Sequence, residues 1–254
     1  MSFSKQKEIK EYIKAKKTLK PREIERKFDL TKSTTRRYLV KLEDEGFIKR
    51  PFGEVVLNQK GNYIDKLAVE EVKVNVEVKK EIAKTASVFA KDYINVYVDG
   101  GSSCFYLLEY LDLSTNVYTN SIYNAMHAID LGFQNVNIIG GKIKIKSLST
   151  LNTDLRSLEN LKFQIAFLGV NGIDEDGNLT TTQVEQGSMK NYIAQHSDLV
   201  VVLATKEKFG YGTFYNFTPK NKTVLVVTDY EKKKEFEQLN LIRIKMKEEQ
   251  NGRN

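Results

Sequence analysis

The chain has 254 residues, 41% of them hydrophobic, and a formal net charge of +7, enough for one large domain or for a small domain beside a larger one. Residues 1–60 carry 17 Lys and Arg against 9 Asp and Glu, while the rest of the chain carries 23 against 24, so all of the excess positive charge lies in the first quarter. This excludes a uniformly basic coat for nucleic acid or membrane and describes a basic module attached to a neutral one. The single cysteine, Cys104, excludes an intrachain disulfide framework and a cysteine-based zinc site, and His127 and His196 lie too far apart in sequence to suggest a histidine metal site. The N-terminus lacks the apolar core of a signal peptide, and no stretch approaches the roughly 18 apolar residues of a membrane span, so a cytoplasmic protein with no membrane partner is expected.

In chain order, three short helices come first. Residues 5–15 place Ile9, Tyr12 and Ile13 at helical spacing. Residues 21–28 begin with proline at a tolerated first position and set Ile24 and Phe28 four apart. The third helix opens on Thr31, a predicted N-cap, and stops at Gly46. Thr35, Leu39 and Leu42 fall on one side of it with Tyr38 at the edge, while Ser33, Arg36 and Arg37 fall on the other. Arginines beside short hydroxyls suit phosphate and base-edge contacts, although a solvated polar face has the same composition. Residues 47–50 and 54–57 read as strands around a Pro51-Phe52-Gly53 turn. Three helices closed by a hairpin give a winged helix-turn-helix, with the third helix in the major groove. Thr31, Lys32, Ser33, Thr34, Arg36, Arg37, Lys49 and Arg50 are the predicted DNA contacts.

Residues 58–78 read as a linker, and 79–90 as a helix facing inward through Ile82, Ala86 and Phe89. From residue 94 onward, apolar runs at 94–98, 116–118, 136–139, 165–169, 199–203, 224–227 and 241–244 alternate with helical segments at 103–111, 121–131, 153–162, 185–196 and 230–238. That pattern predicts an α/β domain over 79–245 with a mostly parallel sheet covered on both faces, followed by a tail at 246–254. In such a sheet ligands bind beyond the C-terminal strand ends. Those ends read Asp99-Gly100-Gly101-Ser102-Ser103, Thr119-Asn120-Ser121, Gly140-Gly141-Lys142, Gly169-Val170-Asn171-Gly172 and a run from Thr205 to Gly210. Each alone is ordinary turn chemistry; five on one edge describe a site for a small phosphorylated molecule. No spacing matches a phosphate-binding Walker loop or a dinucleotide fingerprint. Cys104, one turn into a helix with no base nearby in sequence, reads as a packed thiol, and Asp99 as a residue that fixes its loop or meets a sugar hydroxyl.

At these residues the chain resembles the DeoR family of transcriptional regulators. Thr31 to Leu39 followed by Leu42-Glu43 is similar to the family's recognition-helix signature. Asp99 to Ser103, Thr119 to Ser121, Gly140-Gly141, Phe167 to Ile173, Lys208 to Gly210 and Thr228-Asp229 follow the order of its effector-domain motifs. The resemblance implies a repressor of a sugar-metabolism operon with residues 1–57 on operator DNA, and a C-terminal domain of sugar-phosphate isomerase and CoA-transferase type that senses a phosphorylated sugar. It implies no catalytic residue, no cofactor, and a homo-oligomer, dimer or tetramer. By position, Asp99, Gly101, Ser102, Ser103, Thr119, Asn120, Gly141 and Lys208 would line the effector site, with Glu185 joining them from a helix start. The chain departs from the pattern at the wing, which reads Pro51-Phe52-Gly53-Glu54 instead of His-Gly-Gly, at Thr205-Lys206-Glu207, where an aspartate is usual, and at Asn152, where a glycine is usual. The rival reading is a sugar-phosphate isomerase or hydrolase using the same strand ends; a third is an activator.

Overall fold

The computed structural model describes residues 3–44, 47–57, 68–151, 154–231 and 235–244. They fall into two compact units, Met1–Ile64 and Asp65–Asn254. The predicted helix stop at Gly46, residues 58–67 of the predicted linker, Asn152 and the predicted tail lie outside the described residues.

In the first unit, α1 (Phe3–Lys16), β1 (Thr18–Leu19), α2 (Pro21–Phe28), α3 (Lys32–Asp44), β2 (Ile48–Lys49) and β3 (Val55–Leu57) follow one another. The three strands form an antiparallel sheet in the order β1-β3-β2. The helices match the sequence reading because each carries an apolar stripe long enough to show its period. Ile9, Ile13, Ile24, Tyr38, Leu39, Leu42, Ile48 and Val55 close into one core. A proline starts α2, and Lys20 N donates to Glu23 Oε1 at 2.8 Å, which satisfies an amide at its entry. Strand β1 was not predicted, because two residues carry no readable alternation.

The second unit opens with α4 (Ala68–Val72) and α5 (Val76–Ser87), where the sequence suggested a linker up to residue 78. Tertiary contacts explain the difference. Val72 is buried, Tyr106 Oη donates to its carbonyl at 2.9 Å, and Lys79 Nζ donates to Glu71 O at 2.6 Å. The chain continues through β4 (Asn95–Val98), α6 (Ser102–Leu107), β5 (Asn116–Thr119), α7 (Ile122–Leu131) and β6 (Val136–Ile138). A hairpin of β7 (Lys142–Lys144) and β8 (Ser149–Leu151) precedes β9 (Phe163–Gly169). Then come β10 (Gly172–Ile173), β11 (Leu179–Thr181), α8 (Val184–Gln195), β12 (Ser197–Leu203), β13 (Tyr215–Asn216), β14 (Val224–Thr228) and β15 (Leu239–Arg243).

Seven strands build one all-parallel sheet in the order β15-β14-β12-β9-β4-β5-β6. Alternate residues feed opposite cores. Val96, Val98, Ile165, Phe167 and Val201 meet Ile82, Ala86 and Leu107 on one face; Tyr97, Ala166, Leu168, Val200 and Val202 meet Met189, Ile193 and Phe217 on the other. Burial on both faces is why the strands read as unbroken apolar runs. The helix predicted over 153–162 is a single 3-10 turn, Leu155–Leu158, since Phe163 already enters β9. Of the helix predicted over 230–238, residues 232–234 lie outside the described residues and the others are not helical.

The strand order places the site. The chain starts in the middle of the sheet at β4, moves outward through β5 and β6, and returns to the other side of β4 at β9. The connections after β4 and β9 therefore leave in opposite directions, and their C-terminal ends mark the edge at which open α/β sheets of this kind bind ligands.

Candidate effector site and nucleic-acid interface

At the C-terminal edge of the sheet the loops grip one another. Gly100 N donates to Asn120 Oδ1 at 2.8 Å, joining the β4 and β5 ends, and Asn124 Nδ2 of α7 donates to Asp99 O at 3.0 Å. Thr119 Oγ1 accepts from Ser121 N at 3.1 Å, and Ser121 Oγ caps α7 by accepting from Asn124 N at 3.1 Å. The β7–β8 hairpin folds back onto this edge. Thr150 N donates to Asn120 O at 2.7 Å, and Ser149 lies beside Gly100, where an added Cβ would come 3.6 Å from that of Ser149.

Beside the β4 end, Gly169 ends β9. A Cβ there would stand 3.1 Å from Gly100 O, so the two loops approach as closely as a glycine allows. Its amide donates to Asp99 Oδ2 at 2.9 Å. The same carboxylate oxygen accepts from Lys190 Nζ, which reaches in from α8 and also donates to Gly169 O at 2.9 Å. Asp99 is 0% and Lys190 4% exposed. Asp99, expected to line the site, is thus turned into the protein and shapes the loop instead, because a buried carboxylate must find a cation and donors.

Gly101 has φ +131, caps α6 and has open space where a side chain would stand; Ser102 and Ser103 follow, half-buried. Thr119 and Asn120 are buried and spend their side chains on the loops. Gly141, with φ +146, is exposed beyond β6. Lys208 lies in a 3-10 turn, Lys206–Lys208, after β12. Asp229, at the end of β14, holds that turn by accepting from Lys206 N at 2.6 Å. Burial raises the Asp229 carboxyl above the usual carboxylate range, with Glu207 adding to it and the Lys206 amide opposing it. Glu185 is exposed in the first turn of α8. The structure therefore brings Asn120 into direct contact with the glycine loop that follows Asp99, sets Thr119 on the neighbouring β5 end, and puts Gly141 and Lys208 on the same sheet edge. Cys104 is fully buried, and burial, reinforced by Asp99, pushes its thiol above the usual range, in keeping with a packed rather than a nucleophilic thiol.

In the first unit, Thr31 caps α3: its Oγ1 accepts from Thr34 N at 3.3 Å and lies 3.1 Å from Ser33 Oγ. Thr35, Tyr38, Leu39 and Leu42 are buried, while Lys32, Ser33, Arg36 and Arg37 are exposed and Thr34 is half-buried. Lys49 is exposed on β2. Arg50, expected to contact DNA, is engaged by Glu43 of α3: Nε donates to Oε2 at 2.7 Å, the backbone amide donates to Oε1 at 3.1 Å, and a second guanidinium nitrogen also reaches Oε2. It braces the wing against the helix.

Residues 74–230, the parallel sheet up to the end of β14 with its strand-end loops, match the DeoR C terminal sensor domain. The chain belongs to the DeoR family of transcriptional regulators. Residues 12–51 of this DeoR-family regulator match the IclR helix-turn-helix domain. The HTH-type transcriptional regulator IolR of Bacillus subtilis is 29% identical over 230 residues, covering 87% of this chain and 88% of its own. The HTH-type transcriptional repressor GlcR of Bacillus subtilis is 26% identical over 87% of this chain and 86% of its own. The lactose phosphotransferase system repressor of Staphylococcus aureus is 24% identical over 91% and 93%. These matches bear out a regulator over an enzyme. Among solved structures, ribose 5-phosphate isomerase from Plasmodium falciparum shares 20% identity over 52% of each chain with a TM-score of 0.38, too slight a likeness to argue from. No helix among the described residues is long and apolar enough to cross a membrane.

Sequence reasoning missed Lys190. A signal was there: the lysine lies in the stripe Gly187, Lys190, Ala194 of α8, all buried, where a charged residue must have a partner. The partner lies 91 residues away in sequence, beyond the reach of spacing arguments.

Proposed function

We propose that this regulator is a cytoplasmic repressor whose first 57 residues bind operator DNA and whose sensor domain binds a phosphorylated sugar at the C-terminal edge of its parallel sheet. The observation that carries the sensor reading is the interlocked set of loops after β4, β5 and β9 at the point where the strand order reverses, with hydroxyls at Ser102 and Ser103 and a lysine, Lys208, on the same edge. Gly101, Ser102, Ser103, Gly141 and Lys208 are the contacts proposed for the ligand; Asp99, Thr119 and Asn120 hold its loop, and Glu185 stands at the start of α8. The effector acts by binding two arrangements of the regulator unequally, since equal affinity would shift nothing. Paired half-sites call for a symmetric dimer or tetramer.

A thermal-shift panel of phosphorylated sugars beside their unphosphorylated parents tests the sensor reading. A true effector at 100 times its dissociation constant adds about 2.7 kcal/mol of stability. The expected result is a shift with one phosphosugar and none with its parent; no shift across the panel would refute the ligand class.

The DNA reading rests on the exposed Ser33, Arg36 and Arg37 face of a capped α3. Arg36→Ala should weaken operator binding by about 1–3 kcal/mol, roughly ten- to a hundredfold, measured by fluorescence anisotropy at moderate salt. Unchanged affinity would displace α3 from the groove.

A further inference from the structure

We infer that Lys190 is a positioning residue for the effector site: its buried ammonium ties the loops after β4 and β9 into one cradle. The inference rests on the phosphosugar reading of that cradle. Gly169 is held at both of its backbone polar groups by the Lys190–Asp99 pair, its amide by Asp99 Oδ2 and its carbonyl by Lys190 Nζ. Asp99 is in turn held through its carbonyl by Asn124, and the next amide, that of Gly100, by Asn120. One ammonium thereby links α8, β9, β4 and α7 at the C-terminal edge of the sheet. The ammonium also lies over the Phe217 ring, 5.6 Å from its centroid.

Packing alone does not call for a lysine here. Its neighbours on α8, Gly187, Met189, Ile193 and Ala194, are buried, and a well-packed apolar pair commonly serves such a location as well as an ion pair does. What an apolar pair cannot do is bond Gly169 O and orient the Asp99 carboxylate at once. Among the described residues Asp99 Oδ1 is buried with no hydrogen-bond partner, while Oδ2 accepts from both Lys190 Nζ and Gly169 N and so fixes the carboxylate. The pair turns the aspartate's negative charge inward and leaves the Gly101–Ser103 stretch to face an anion.

The test uses the full chain with Lys190→Met and the charge-free double variant Lys190→Met/Asp99→Asn. The single variant leaves a lone buried carboxylate and is expected to lose stability; the double variant removes both charges, keeps the volume and carries the test. Binding of aldohexose, ketohexose and aldopentose monophosphates is measured by calorimetry, beside amide hydrogen exchange of residues 99–103 and 169–172. The expected result for the double variant is a melting temperature close to wild type, affinity for the bound phosphosugar lowered about tenfold or more, and faster exchange in those two loops with β12 and β14 unchanged. Affinity within about twofold of wild type, or loop exchange at the wild-type rate, overturns the role of Lys190 and leaves the phosphosugar reading standing. If wild type binds none of the panel, the phosphosugar reading falls and the inference falls with it.

Discussion

Lys190→Met should lower the stability of the Asp65–Asn254 unit by about 3–5 kcal/mol, the cost of leaving a buried carboxylate without its cation. Asp99 is 0% exposed and follows β4 where that strand meets β9. The neighbouring Gly169 carbonyl loses a donor in the same change. Urea unfolding of the full chain, followed by a probe in the sensor domain, gives the number directly. Lys162→Met is the contrast: its ammonium meets Asp198 at 2.8 Å on the surface, with side chains 72% and 55% exposed, and should cost no more than about 1 kcal/mol. Equal effects from the two substitutions would mean that the buried pair is not formed in solution.

Leu42→Ala should cost the first unit about 2–5 kcal/mol. Leu42 is 0% exposed and closes the core where α3 meets Ile9, Ile13, Ile24, Ile48 and Val55. A unit of that size, Met1–Ile64, holds only about 3–9 kcal/mol in total, so the loss should leave much of it unfolded at physiological temperature. Hydrogen exchange should show α1–α3 losing protection while the parallel sheet keeps it, and operator binding should fall with the protection. Val40→Ala, on the 38% exposed side of the same helix, should be close to neutral. Full retention of α1–α3 protection in Leu42→Ala would contradict the core assignment.

The parts of this fold that were legible in the sequence are those with a period to read. The amphipathic helices of the first unit and the double-sided strands read at 165–169, 199–203 and 224–227 declare themselves, falling within the observed strands at 163–169, 197–203 and 224–228, because a residue's burial there follows from its neighbours in the same element. Short elements do not. Strands β1, β7, β8, β10, β11 and β13 hold two or three residues each and exist because a partner lies opposite, as Ser149 pairs with Lys144. The same division holds at the site. Glycines and hydroxyls at strand ends could be read from position alone, since a parallel sheet gathers its ends on one edge. What each side chain does could not. Asp99 and Arg50 have the right chemistry for ligand and DNA, yet the fold gives them other partners, Lys190 from 91 residues away and Glu43 from the preceding helix. A charge seen in sequence is available to a ligand only if the fold leaves it unpaired.

The central claim is that a phosphosugar in the sensor domain controls DNA binding by α3. The most direct measurement is fluorescence anisotropy of the full chain on a duplex that it has itself selected from a random pool, titrated with each phosphosugar and its unphosphorylated parent. The account predicts that one phosphosugar changes operator affinity and that its parent does not. Tight, sequence-specific binding that no phosphosugar alters would contradict it.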